Sequence, residues 1–291
     1  MSGAADPWEA LDPRIHAYDA EAHLAESSLL DRLDGGFRFI EPRAAWNGAG
    51  RLSLRARPEA LSPQVSEALP GQALEVVLQR PDGWAWLRTL DDRYLGYARV
   101  EGLLTEAPKN TLAVTALRGH VYAAPKITAP ILAEVCLGAL VTRRDEAPVT
   151  DKHRRWLPVG EQGWLQEVCA APLSDADPAE LALRFIGTPY VWGGRSAWGL
   201  DCSGLTQVVF GAFGRSLPRD ADMQQAALRP VEQPQRGDLA FFEGHVGLML
   251  DGRRMVHANA TAMAVSVDTL GEGEYGERLQ ADLLGFGRWT G

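Results

Sequence analysis

The sequence predicts an α+β protein in which two small all-β modules precede a larger α+β domain. Three observations predict it. Residues 46–172 hold short strands broken by frequent turns, and the second half of this stretch echoes the first. Residues 173–291 change character: two helical patterns are followed by a run of apolar strands. The length of 291 residues suits about two domains, or three small ones.

The expected order is an arm (1–45), a first module (46–107), a second module (108–172) and the α+β domain (173–291). The arm is polar, with a short helical pattern over 21–33 that Asp34-Gly35-Gly36 would end. In the first module, strands are expected at 52–56, 74–78, 84–88 and 95–98, with turns at Asp82-Gly83 and Asp91-Asp92. The second module repeats the plan. Val114-Thr115-Ala116-Leu117 stands for the first strand, Gly138-Ala139-Leu140-Val141 echoes Gly71-Gln72-Ala73-Leu74, and Arg155-Trp156-Leu157-Pro158 echoes Trp84-Ala85-Trp86-Leu87. After the linker Asp175-Ala176-Asp177-Pro178, helices are expected over 179–186 and 205–213, then strands over 239–242, 245–250, 254–259 and 265–270. Glu272, Glu274 and Glu277 read as a loop surface.

Composition excludes several classes. Twenty-nine basic against 38 acidic residues give a net charge of -9, and no basic patch stands out, so no nucleic acid partner is expected. No apolar run approaches the roughly 18–20 residues that cross a bilayer, so no membrane association is expected. The N-terminus lacks a basic start followed by an apolar core, which points to a cytoplasmic protein. Cys136, Cys169 and Cys202 are odd in number and far apart, with no Cys-x-x-Cys pair, so neither a disulfide framework nor a cysteine-based zinc site is expected, and no cofactor.

Cys202 follows a glycine-containing loop and opens a helix, with Asp201 at the N-cap. Backbone N–H groups and the positive end of the helix dipole there favour a thiolate nucleophile. A plain buried residue suits the position as well. Cys136 and Cys169 lie in apolar strand patterns and read as core. His245 and His257 fall on consecutive strands and fit a base and its orienter, although either could be an ordinary half-buried histidine. A two-residue turn at Asp251-Gly252 would point them to opposite faces. A shared face requires an odd turn such as Asp251-Gly252-Arg253, or a bulge.

Gly187-Thr188-Pro189-Tyr190-Val191-Trp192-Gly193-Gly194, Asp201-Cys202-Ser203-Gly204-Leu205, Leu217-Pro218-Arg219-Asp220, Arg236-Gly237-Asp238-Leu239, Gly244-His245-Val246-Gly247 and Val256-His257-Ala258 occur in this order. The ordered set resembles the NlpC/P60 cysteine peptidases, a papain-like group. The first β module, with its Trp84-Ala85-Trp86-Leu87 and Gly96-Tyr97-Ala98 strands, resembles bacterial SH3 domains, and the second does so more weakly. Two such modules ahead of an NlpC/P60 domain resemble the γ-D-glutamyl-L-diamino acid endopeptidases, which cut muropeptides carrying a free N-terminal L-alanine.

The resemblance implies a triad of Cys202, His245 and His257, with His245 keeping the thiol deprotonated and Tyr190 as an oxyanion donor. It also implies that Asp220 receives the substrate amine and that Ser203, Asp201, Arg219 and Trp192 surround the peptide. From the first module it implies a tyrosine and an acidic residue at the pocket: Tyr94, with Tyr97 as its rival in strand parity, and Glu59. Tyr94 and Glu59 could equally be an ordinary pair on the barrel surface. No obligate protein partner is implied. Two other functions stay open: a secreted hydrolase of intact peptidoglycan, and an amidase or acyltransferase using the same triad.

Overall fold

The structure, a computed structural model, describes residues 11–33, 35–48, 50–173 and 177–290. Asp34 and the linker residues Asp175 and Ala176 lie outside them.

The described part of the arm is a small sheet, with no α-helix over 21–33. Leu24–Glu26 pairs antiparallel with Tyr18–Asp19 and parallel with Arg38–Ile40, and a single 3₁₀ turn, Ser27–Leu29, follows. The helical spacing expected over 21–33 loses to a tertiary contact. Glu26 is fully buried against Arg88 of the first module, whose Nη1 donates to Glu26 Oε1 at 3.2 Å and whose Nη2 donates to Oε2. Arg88 Nε also donates to Glu75 at 2.7 Å, and Nη1 reaches the Ile15 carbonyl. Leu24 packs with Val77, Trp86 and Leu95 of the module, while Leu11, Ala25, Leu29 and Leu33 close a small core of their own.

The first module is a seven-stranded sheet in the order Leu103–Leu104, Arg43–Asn47, Ala73–Gln79, Trp84–Thr89, Leu95–Arg99, Leu52–Arg55, Gln64–Ala68. Strand Arg43–Asn47 runs across the expected boundary at 45/46, because it is held between Ala73–Gln79 and the edge strand Leu103–Leu104. The second module is a five-stranded sheet in the order Ile131–Cys136, Arg118–Tyr122, Gly163–Gln166, Arg154–Val159, Val149–Asp151; its first four strands follow the order Gln64–Ala68, Leu52–Arg55, Leu95–Arg99, Trp84–Thr89 of the first module, while Thr111–Ala113 and Leu140–Thr142 form a separate pair. Its first long strand begins at Arg118, not Val114. Residues 114–117 form a bend, and Val114 exchanges backbone hydrogen bonds with Gly138 and Ala139. Cys136 is buried in a strand, whereas Cys169 lies in a 3₁₀ turn, Glu167–Ala170.

In the C-terminal domain, α1 (Pro178–Leu183) is capped by Asp177, whose side chain accepts from Ala179 N–H. Helix α2 spans Cys202–Gly211. The antiparallel sheet runs Arg229–Val231, Leu283–Arg288, Leu239–Phe242, His245–Met249, Arg254–Asn259, Ala264–Thr269. Alternation along these strands builds two cores. Phe241, Val246, Leu248, Val256 and Ala258 join the core that holds α1 and α2, while Phe242, Met249 and Met255 join the one that holds Leu279. Helix α3 (Ala221–Ala227), helix α4 (Gly273–Ala281) and both outer strands on the 229–231 side were not visible in the sequence pattern. Glu274 and Glu277, expected in a loop, lie on α4. Among the described residues, no helix is long and apolar enough to cross a membrane.

Truncating Glu26 leaves the Arg88 guanidinium buried without its main partner. Glu26→Ala is expected to cost about 3 kcal/mol and to lower the thermal midpoint; an unchanged midpoint would mean that the pair contributes nothing net.

Candidate active site

The site begins at the Asp201 carboxylate. Asp201 caps α2, accepting from Gly204 N–H at 2.7 Å and from Gly193 N–H at 2.8 Å. Gly204 has no room for a side chain: a Cβ there would fall 2.1 Å from the Gly194 carbonyl oxygen. Opposite, Arg219 donates to both Asp201 oxygens, to Ser203 Oγ at 2.9 Å and to Ser66 Oγ of the first module at 3.3 Å. Arg219 is 1% exposed and all three guanidinium nitrogens are engaged inward. The expectation that Arg219 touches substrate is therefore corrected: it braces the cap from behind. Asp201 borders the pocket, but its oxygens are committed to the helix, the loop and Arg219.

This brace sets Cys202 at the first position of α2, 7% exposed, with Sγ 4.0 Å from the carbonyl oxygen of Gly244. Burial pushes the thiol up to about 11, helped by the Asp201 charge; the N–H groups of Val246 and Ser203 oppose this more weakly. Burial, and then the neighbouring His257, drive His245 down to about 3. Both directions favour a thiol and a neutral imidazole, because desolvation opposes the pull of the helix terminus toward the thiolate.

The hairpin between the histidine strands turns through Asp251-Gly252-Arg253, with Leu250 N–H on the Arg254 carbonyl at 2.8 Å and Met249 opposite Met255. The odd turn puts both histidines on one face, with His245 Nε2 2.7 Å from His257 Nδ1. His257 is fully buried between His245 and Tyr275, and its Nε2 lies 2.9 Å from Asp268 Oδ2. Hydrogen bonds from His257 and Ser266 hold the Asp268 carboxyl below the usual carboxylate range despite partial burial. An ionised Asp268 draws the His257 proton to Nε2. His257 Nδ1 then accepts from His245 Nε2–H, and the lone pair of His245 is left on Nδ1. Sequence reasoning missed Asp268. The signal was the parity of Ser266 and Asp268 on the strand that pairs with His257.

Tyr190 is half-buried. Burial, the Cys202 sulfur and Asp201 together raise its hydroxyl to about 12, so it keeps its proton and can donate.

A pocket of about 220 Å³ opens beside Cys202. The C-terminal domain supplies Ser203 and Asp220, the first module Val65 and Tyr94, and the arm Arg14; Trp192 forms its exposed lip. Tyr94 Oη donates to Asp220 at 3.0 Å. Tyr97 does not line this pocket and stacks on Trp86. Glu59 does not reach the pocket: it lies in an outward turn, 63% exposed, and pairs with Arg57 at 3.7 Å. The module is held in place by Arg195, whose Nη2 meets Asp91 at 2.7 Å, whose Nη1 meets Asp92 at 3.3 Å and whose backbone N–H meets Glu67 at 3.1 Å.

His245 has a depressed folded pKa, so the unfolded chain binds more protons between about 6.5 and 3. Its contribution to stability is fully present above 6.5 and is lost as pH falls through that window. The thermal midpoint of His245→Gln is expected to fall less than that of the parent across this range. Parallel slopes would contradict a buried, neutral His245.

Residues 187–283 match the NlpC/P60 family, and residues 54–103 match the bacterial dipeptidyl-peptidase SH3 domain. The chain is 30% identical over 244 residues to dipeptidyl-peptidase 6 of Lysinibacillus sphaericus, covering 76% of this chain and 89% of that protein. It is 42% identical over 107 residues to gamma-D-glutamyl-L-lysine dipeptidyl-peptidase of Bacillus subtilis (strain 168), a span of 33% of this chain and 36% of that one. An NlpC/P60 family protein from Bacillus cereus shares the fold, with a TM-score of 0.71 at 21% identity over 85% of this chain and 100% of that chain. A cysteine opening a helix, a histidine pair on the adjoining strands and an SH3 module matched to the same group of enzymes lead to one assignment: the chain belongs to the NlpC/P60 family of cysteine peptidases.

Proposed function

We propose that the protein is a γ-D-glutamyl-diamino acid endopeptidase that hydrolyses released muropeptides bearing a free N-terminal L-alanine. The observation that carries this reading is the pocket beside Cys202, which the first module walls off and which contains the carboxylate of Asp220. A cavity of about 220 Å³ suits the end of a short peptide better than a long chain, and an ammonium there meets a carboxylate in a partly buried setting. The names of the relatives support the peptide class. The strand order shared over four strands supports reading residues 108–172 as a second SH3-like barrel. The α+β domain that follows, 173–291, would carry the chemistry.

In this reading the γ-carbonyl carbon of D-glutamate lies over Cys202 Sγ. His245 Nδ1 takes the thiol proton as the S–C bond forms, and His257 with Asp268 stabilises the imidazolium. Tyr190 Oη and the Cys202 N–H face the developing oxyanion. Collapse breaks the C–N bond, and His245 returns its proton to the leaving amine of the diamino acid. Water then attacks the thioester, giving one proton to His245, which passes it to the departing sulfur.

Incubation with L-Ala-γ-D-Glu-meso-diaminopimelate, its N-acetyl form and intact sacculi, followed by mass spectrometry, tests the substrate. The free peptide should yield L-Ala-D-Glu and the diamino acid, and the other two should be cut far more slowly. Equal cleavage of blocked and free peptides would reject the pocket reading. Cys202→Ala should abolish turnover without lowering the thermal midpoint. Asp268→Asn should lower kcat about tenfold or more with little change in KM, the size of effect expected for a group that orients a general base.

A further inference from the structure

We propose that Arg14, from the N-terminal arm, is a positioning residue for Asp220: it pins one carboxylate oxygen so that the other is presented to the ammonium of the substrate. The inference rests on the reading of Asp220 as the amine partner. It goes beyond that reading by giving the arm a part in specificity.

The arm brings Arg14 to the pocket by its backbone. The Arg14 carbonyl accepts from Leu95 N–H at 2.7 Å, next to Tyr94, and the buried Glu26–Arg88 pair anchors the arm behind it. The guanidinium then spans three carboxylates. Nε and Nη2 donate to Asp12 at 3.0 and 2.7 Å, Nη1 and Nη2 donate to the two oxygens of Asp222 at 2.9 and 2.8 Å, and Nη1 donates to Asp220 Oδ2 at 2.9 Å. Tyr94 donates to that same Oδ2 at 3.0 Å. Among the described residues no hydrogen bond reaches Asp220 Oδ1, and Asp220 at the N-cap of α3 makes no side-chain cap bond. One oxygen is therefore held from two sides, and the other is left to an incoming donor.

The charges favour a cation as that donor. Three carboxylates against one guanidinium leave a net negative cluster. Arg14 keeps its paired contacts to Asp12 and Asp222 whether or not a ligand arrives, so an ammonium adds to the cluster without having to displace it. Without Arg14, Asp220 keeps only the Tyr94 hydroxyl and can rotate toward solvent, at a cost in binding and not in chemistry.

Steady-state kinetics on the 291-residue chain test this, with L-Ala-γ-D-Glu-meso-diaminopimelate and its N-acetyl form as substrates. Arg14→Gln is expected to raise KM for the free peptide about tenfold, the scale of one charge-assisted hydrogen bond. Its kcat, and kcat/KM for the blocked peptide, should stay near those of the parent. Arg14→Lys should recover part of the loss, and in an Asp220→Asn background Arg14→Gln should add nothing. Thermal midpoints report whether the arm stays docked. An equal loss on both peptides would make Arg14 a structural residue only, and a fall in KM would make it a plug that substrate must displace. Either result overturns the proposal, as does an unchanged KM. If Asp220→Asn raises KM and Arg14→Gln does not, Arg14 alone is misassigned. If Asp220→Asn leaves KM unchanged, the amine reading fails and this proposal with it.

Discussion

The pairing of Arg219 with Asp201 is the interaction on which the rest of the site depends. One carboxylate caps the helix that Cys202 opens, holds the glycine loop through Gly193 and is balanced by a fully buried guanidinium. The same guanidinium reaches Ser66 in the first β module and Ser203 beside the sulfur. Because Arg219 precedes Asp220 in the chain, bracing the cap also places the next carboxylate at the mouth of the pocket. A buried ion pair of this kind is a doubtful source of net stability. Its effect is to fix position: helix, loop, module and pocket carboxylate share one set of hydrogen bonds.

Charge burial is also how the chain joins its parts. Glu26 and Arg88 tie the arm to the first module, and Arg195 ties that module to the C-terminal domain through Asp91, Asp92 and Glu67. On the second module, Arg118 reaches the Ala197 carbonyl, so the loop ahead of Cys202 is gripped from both sides. These contacts bring residues distant in the chain to one small cavity. The C-terminal domain carries Cys202, and the cavity beside it is completed by pieces more than a hundred residues upstream.

Much of this was legible in the sequence where local rules dominate. Asp201 as a cap, Cys202 at the head of its helix and the odd turn between the histidines follow from capping chemistry and strand parity, and strands 239–242 and 254–259 fall where alternation puts them. What was not legible depended on tertiary partners. Glu26 reads as a polar residue in a helical stretch until Arg88 is placed beside it. Arg219 reads as a pocket residue until its burial is known. Glu59 has the right charge on the wrong side of a turn, and the desolvation that pushes the Cys202 thiol up is revealed by no local pattern. Asp268 and Arg14 act through pairing across strands and modules.

The central claim is that the pocket ends at a carboxylate and accepts the amino terminus of a short peptide. The most direct measurement is a crystal structure of Cys202→Ala bound to L-Ala-γ-D-Glu. The account requires the L-alanine ammonium within hydrogen-bonding distance of Asp220 and the γ-carboxyl group over residue 202. A dipeptide bound in the reverse sense, or with its amine in solvent beyond Trp192, would contradict it.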